Sequence, residues 1–141
     1  MNDRTRPPVS STSIVVLALA RRIENELGAA LAPLDLTVAR LGLLGHISGV
    51  PGASFSELAR MSGTSVQSVH AAVKALVNAG LVRDLNARPG SASTIELTPE
   101  GARLLQRARE AVSAVDERLF GEAADPVQRQ VGAAVRAAFL A

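Results

Sequence analysis

Gly63 and Gly80 punctuate the stretch from Ser54 to Thr98 so tightly that only short helices fit between the stops. Ser54 and Glu57 stand in the S-x-x-E spacing, in which hydroxyl and carboxylate each satisfy a free backbone N–H at a helix start. Leu58 and Ala59 open the buried face of that helix, and Gly63 supplies the left-handed residue that ends it. Thr64 or Ser65 can cap the next helix, with Gln67 three residues after Thr64 as an alternative capping partner. The turn between the helices is therefore only a few residues long. In the second helix Val66, Val69, Val73, Leu76 and Val77 fall on one side at helical spacing. Thr64, Gln67, Ser68, Ala71 and Ala75 must then face outward, flanked by His70 and Lys74. Gly80 provides a second left-handed exit, Leu81 and Val82 open a strand, and Thr94 to Leu97 alternates in period two toward another. Asn86 to Ser93 is the tip between them. Helix, turn, helix and hairpin in this order predict a winged helix-turn-helix, whose second helix suits the major groove of DNA.

Helices flank this unit on both sides. Ser13 caps a first helix running to about Ala32, where Pro33 stops it, and a second follows Asp35 or Thr37 to about Ser48, turning Val38, Leu41, Leu44 and Ile47 toward the core. After the hairpin, Thr98 is a hydroxyl cap and Pro99 occupies the first helical position, where its missing N–H costs nothing. The long helix that begins there carries Leu104, Leu105, Ala108, Ala111, Val112, Val115 and Leu119, a stripe wider than one small lobe covers. A last helix starts near Asp125-Pro126 and buries Val127, Val131, Val135 and Phe139. Ordinary intrachain packing is one reading of so much apolar terminal helix; a homodimer interface is the favoured one. The expected class is mainly α with a small β-hairpin wing. Residues 1–12 form a flexible arm and 13–141 one domain, in which 37–98 is the DNA-binding lobe and 13–34 and 99–141 are dimerisation helices.

Composition narrows the chemistry. With no cysteine, disulfides, thiol switches and thiolate metal sites are all excluded. The pI near 10.4 accompanies a net charge of only +2, because a chain without Tyr or Cys and with one lysine, Lys74, has almost nothing to titrate above neutrality. Charge alone does not point to nucleic acid. The two histidines, His46 and His70, fall on different elements, no carboxylate pair has acid/base spacing, and no Gly-rich phosphate loop follows a strand. Neither an enzyme nor a metal sensor is expected, and no cofactor is implied. Arg4 and Arg6 before the apolar run Ile14 to Ala20 imitate a secretion signal. The helical stripe nevertheless continues through Ile23, Leu27 and Leu31, and the run is too short to span a bilayer. A retained helix in a cytoplasmic protein with no membrane partner is the reading favoured here, with the arm solvated or its arginines against phosphate.

The whole pattern resembles the MarR family of bacterial transcriptional regulators. The pieces that carry it are SELARMSG (Ser56 to Gly63), V-x-x-x-V-x-x-L-x-x-x-GLV (Val69 to Val82), LTPEG (Leu97 to Gly101) and the flanking helices, in the family's order. The resemblance implies a dimer whose terminal helices interleave, binding a roughly palindromic double-stranded operator, as a repressor released by a small aromatic or anionic effector. It places DNA contacts at Thr64, Ser65, Gln67, Ser68, His70, Ala71, Lys74, Arg83 and, on the wing, Arg88. The chain departs from the family at Ala71, where an Arg usually reaches the groove, at His70, where a small residue is usual, and in the wing, where Asn86-Ala87-Arg88 only approximates the usual acidic-x-Arg turn. Bidentate guanine contacts from this helix are therefore missing, and a shallow salt dependence follows from so few cations. The effector crevice implied by the family maps onto Arg21, Ile23, Leu27, Arg40, Leu41, Leu44, His46, Leu104 and Ala108, with an Arg or His to orient a carboxylate or phenolate. Gly42 and Gly45 inside the second helix either open space beside it or allow close helix packing. The rival reading is a winged-helix dimer that acts through protein contacts with weak or no operator binding.

Overall fold

The computed structural model describes residues 11–85 and 94–140, so the arm's Arg4 and Arg6, the wing tip Asn86 to Ser93 and Arg88 lie outside the described residues. Among the described residues six α-helices and two strands follow one another: α1 (Thr12–Leu31), α2 (Val38–Gly49), α3 (Phe55–Ser62), α4 (Val66–Asn78), β1 (Val82–Asp84), β2 (Ile95–Leu97), α5 (Pro99–Phe120) and α6 (Pro126–Phe139). Ser11, two residues earlier than expected, caps α1 by accepting the Ile14 N–H. Pro33 does not break the chain into coil there; it sits in a 3-10 turn, Ala32–Leu34, before Thr37 caps α2.

The local signals of the central unit form as their chemistry requires. Ser54 Oγ accepts the Glu57 N–H at 3.1 Å while the Glu57 carboxylate accepts the Ser54 N–H at 3.3 Å, a closed capping box on α3. Gly63 takes φ 65°, and the Thr64 N–H returns to the Ala59 carbonyl at 3.1 Å. Gly80, at φ 75°, turns the chain from α4 into β1. The strands pair antiparallel with Val82 opposite Leu97, Arg83 opposite Glu96 and Asp84 opposite Ile95. Thr98 then locks the hairpin to α5: its hydroxyl donates to the Gly80 carbonyl at 2.6 Å and accepts the Gly101 N–H at 3.0 Å.

One continuous core joins these parts. Leu58, Val69, Val73 and Leu76 from α3 and α4 meet Leu43, Leu44 and Ile47 of α2, Val82 and Ile95 of the hairpin, Leu105 and Ala108 of α5, and Leu31 at the end of α1. The helix-turn-helix is thereby held rigidly to the long helix behind it. An Arg118–Glu26 ion pair at 2.6 Å adds a surface tie between α5 and α1.

The apolar faces differ from expectation in three ways. The α5 stripe is covered within the chain, with Leu105, Ala108, Val115 and Leu119 buried. The uncovered surface lies instead on α6 and the first half of α1. None of the expected α6 core residues is buried: Val127 is 65% exposed and Phe139 81% exposed, and Val135 is also exposed, because none of the described residues outside this last helix covers its outer side. Ile14, Val15, Val16 and Leu17 are likewise exposed. Finally, Val38, Val66 and Val77 are exposed at helix ends, where the spacing is right but none of the described elements lies over them, while Leu43 joins the core unforeseen.

Candidate nucleic-acid interface

The start of α4 projects a short polar surface. Ser65, not Thr64, is the cap: its hydroxyl accepts the Ser68 N–H at 3.1 Å and donates to Ser68 Oγ at 2.9 Å. The Ser65 hydroxyl is thus occupied by the helix, whereas Ser68 keeps its own proton to donate. Thr64, Gln67, Ser68, Ala71 and Lys74 are exposed, as anticipated, and Ala75 is half-buried. Val66, assigned inward by its spacing, is exposed at the first helical position beside them. Its exposure could have been anticipated from its place in the first turn, beyond the reach of the packed stripe. This face combines amide and hydroxyl donors with small apolar groups, the set that reads adenine edges, phosphates and thymine methyls.

His70 behaves differently from the other expected readers. Its ring stacks on Phe55 of α3, with centroids 3.7 Å apart and planes at 20°, so it braces α4 against α3 while one edge remains exposed. Arg83 is also engaged, by Glu96 across the hairpin at 2.9 Å, because the register sets the two directly opposite each other. Among the described residues of the helix-turn-helix, Arg60 and Lys74 have no ion pair.

The expected effector residues do not converge on one crevice. Leu44 and Ala108 are fully buried in the core, and Leu41 and Leu104 pack against it. The signal that suggested them, their apolar spacing, is the ordinary core signal. Arg21 sits on the outer side of α1 with Arg22, Asn25 and Glu26. Leu27 is half-buried and lines none of the cavities described here. Arg40 and His46, by contrast, line a cavity of about 330 Å³ between α2, the end of α3 and the start of α4, together with Gly42, Met61, Thr64 and Ser68. A side chain carbon added at Gly42 or Gly45 would meet nothing within 4 Å, so these glycines leave space rather than permit close packing. A larger, open hollow of about 1200 Å³ lies between α1, α5 and α6, floored by Leu19, Ile23, Phe120 and Val131. It is continuous with the exposed apolar residues of the terminal helices, which suits a helix as occupant better than a small molecule.

Among the described residues no three His, Cys, Asp or Glu side chains are grouped to hold a metal ion, and no single helix is long and apolar enough to cross a membrane.

Comparison with known proteins agrees with this geometry. The sequence profile of the MarR family matches residues 34–88. HTH-type transcriptional repressor Rv2887 of Mycobacterium tuberculosis is 36% identical over 113 residues, spanning 77% of this chain and 78% of that one. The crystal structure of Rv2887 in complex with DNA superposes with a TM-score of 0.74 at 27% identity, covering 93% of this chain and 99% of the other. Its complex with p-aminosalicylic acid gives a TM-score of 0.70 at 28% identity, over 92% of this chain and 98% of that one.

Proposed function

The chain belongs to the MarR family, and from that membership we propose that it is a homodimeric, sequence-specific DNA-binding repressor released by a small aromatic or anionic molecule. The observation that carries the reading is the start of α4. Thr64, just before the helix, and Gln67, Ser68, Ala71 and Lys74 on it stand exposed, and the helix is anchored by the Ser65 cap, the Phe55–His70 stack and the continuous core. A rigid helix presenting few long side chains reads a groove by hydroxyl, amide and methyl contacts.

We assign residues 37–98 to the DNA-binding lobe and 13–34 and 99–141 to dimerisation. The exposed apolar residues of α1 and α6, with the hollow between them, support that assignment, since a second copy's terminal helices would cover both. A two-fold dimer sets its two α4 helices about one DNA turn, roughly 34 Å, apart and so selects a near-palindromic operator. Direct contacts are assigned to Thr64, Gln67, Ser68, Ala71 and Lys74, with Ser65 as the cap that aims them, His70 as their brace and Arg88 as the wing contact. We read the chain as a cytoplasmic regulator without catalytic activity, in keeping with a family of transcriptional regulators. The release reading is supported by the p-aminosalicylic acid complex of its relative.

The test is selection of bound fragments from random genomic DNA by the full chain at two salt concentrations. Recovery of one palindromic motif at both is the expected result. Binding that is independent of sequence and lost at the higher salt would overturn the proposal in favour of a dimer acting through protein contacts.

A further inference from the structure

We propose that α4 reads A·T pairs, and that Val66 and Ala71 are specificity-determining residues that sense the 5-methyl groups of thymines beside an adenine held by Gln67. The assignment rests on the DNA-binding reading above.

Position along the helix decides which side chains meet base edges. Gln67, Ala71, Lys74 and Asn78 follow one another at i, i+4, i+7 and i+11, one line along α4, and all four are exposed. A recognition helix enters the major groove by its first residues. Lys74 and Asn78 lie about 10 and 16 Å along the axis from Gln67, where the duplex curves away from a straight helix and phosphates come within reach instead. Base readout therefore falls to Val66, Gln67, Ser68 and Ala71. Val66 belongs with them because it is 40% exposed in the first turn, and none of the described elements lies over it.

The chemistry of these four excludes strong readout of G·C. Guanine is distinguished by two acceptors that suit a cationic fork, and cytosine by an amino donor that suits a carboxylate. No Arg, Asp or Glu occurs anywhere in α4. The neighbouring donors are engaged, His70 stacked on Phe55 at 3.7 Å and Arg83 paired with Glu96 at 2.9 Å. Gln67 has no side-chain partner among the described residues, and an amide makes two hydrogen bonds to adenine N6 and N7. Ser68 has one hydroxyl proton to give, which any base acceptor or phosphate takes, so it does not set the sequence. That leaves two bare aliphatic groups, and the apolar feature a base presents in the major groove is the thymine methyl. Ala71 is short, so its methyl meets a base only where the helix backbone comes close. On the outward line before Lys74 only Gln67 is long, and nothing props the helix away.

The experiment takes the motif that the full chain selects from random DNA and makes it as a fluorescein-labelled duplex. Deoxyuridine then replaces each thymine of the two half-sites in turn, which removes one methyl and keeps the base pair, and anisotropy at one salt concentration gives the affinity. We expect A·T pairs at the contacted centre of each half-site, with two thymines at which the replacement weakens binding. The loss should be about fourfold per methyl, the worth of one buried carbon, and about fifteenfold when both half-sites are changed. Ala71→Gly should erase the deoxyuridine loss at one of these thymines and Val66→Ser at the other. A substitution that merely loosens α4 weakens binding to both duplexes alike, so the ratio of thymine to deoxyuridine affinity separates contact from folding. G·C pairs throughout the contacted centre, no loss with deoxyuridine, or the same ratio in the parent and both variants would overturn the methyl readout and leave operator binding intact. Failure to select any motif instead refutes the DNA-binding reading, and the assignment of Val66 and Ala71 falls with it.

Discussion

Replacing Gly101 by alanine tests the docking of the long helix onto the DNA-binding unit. Gly101 is buried in the first turn of α5, and a β-carbon placed on it would lie 2.0 Å from the Leu81 carbonyl oxygen. Carbon and oxygen do not normally approach closer than about 3.3 Å, so the two must part by roughly 1.3 Å. Leu81 cannot yield easily, because its carbonyl accepts the Thr98 N–H at 3.1 Å and its neighbour Gly80 is fixed by the Thr98 hydroxyl at 2.6 Å. Overpacking of this kind costs about 1–3 kcal/mol and occasionally more. Disruption of the Thr98–Leu81 hydrogen bond adds about 1 kcal/mol, and the better helix propensity of alanine returns about 0.5–1 kcal/mol. The expected net loss is about 1–3.5 kcal/mol, out of a total of roughly 5–15 kcal/mol for a domain. Gly42→Ala is the matched control: it gains the same propensity and meets nothing within 4 Å, so it should stabilise by about 0.5–1 kcal/mol. Urea unfolding at fixed protomer concentration measures both. Midpoints that move in opposite directions are expected. Equal shifts of the same sign, or a Gly101→Ala variant within about 0.5 kcal/mol of the parent, would refute the contact argument, since propensity is common to the two sites.

Three further outcomes follow from the same structure. A charge placed on the uncovered terminal helices, Val16→Glu with Phe139→Asp, should yield a folded monomer by light scattering and weaken operator binding on the order of a hundredfold or more through loss of bivalency; an unchanged dimer would remove these helices from the interface. Ser65→Ala should cost about 1 kcal/mol in unfolding experiments, whereas Thr64→Ala should stay within about 0.5 kcal/mol, and the reverse order would return the cap to Thr64. Taking Arg60, Lys74 and Arg88 as the phosphate contacts of each of two protomers, the plot of log affinity against log salt should slope no more steeply than about −5.4, at roughly 0.9 per contact; a steeper slope measured by anisotropy would require further cations, such as those of the arm.

How much of this was legible without coordinates depends on the range of the interaction. The Ser54–Glu57 capping box, the left-handed stops at Gly63 and Gly80 and the Thr98-Pro99 start of α5 all form as read, because each is decided within one turn of backbone. The stripe of α4 was correct at Val69, Val73 and Leu76, in its middle, and wrong at Val66 and Val77, at its ends, since periodicity states which side a residue faces and not whether anything lies there. The same limit misplaced the uncovered apolar surface, which is on α1 and α6 rather than α5. For the site, exposure of Thr64, Gln67, Ser68, Ala71 and Lys74 followed from sequence, while the partners of His70 and Arg83 did not. Their partners, Phe55 and Glu96, are set by how α3 meets α4 and by strand register. The effector residues divided for the same reason: an aliphatic at helical spacing looks alike whether it fills the core, as Leu44 does, or walls a cavity, as Leu43 and Val69 partly do. Local chemistry by itself determined the order, ends and outward face of the helices of this MarR-family chain. Tertiary structure alone decided which faces are covered, which charges are engaged and where a cavity opens, because those depend on distances between residues far apart along the chain.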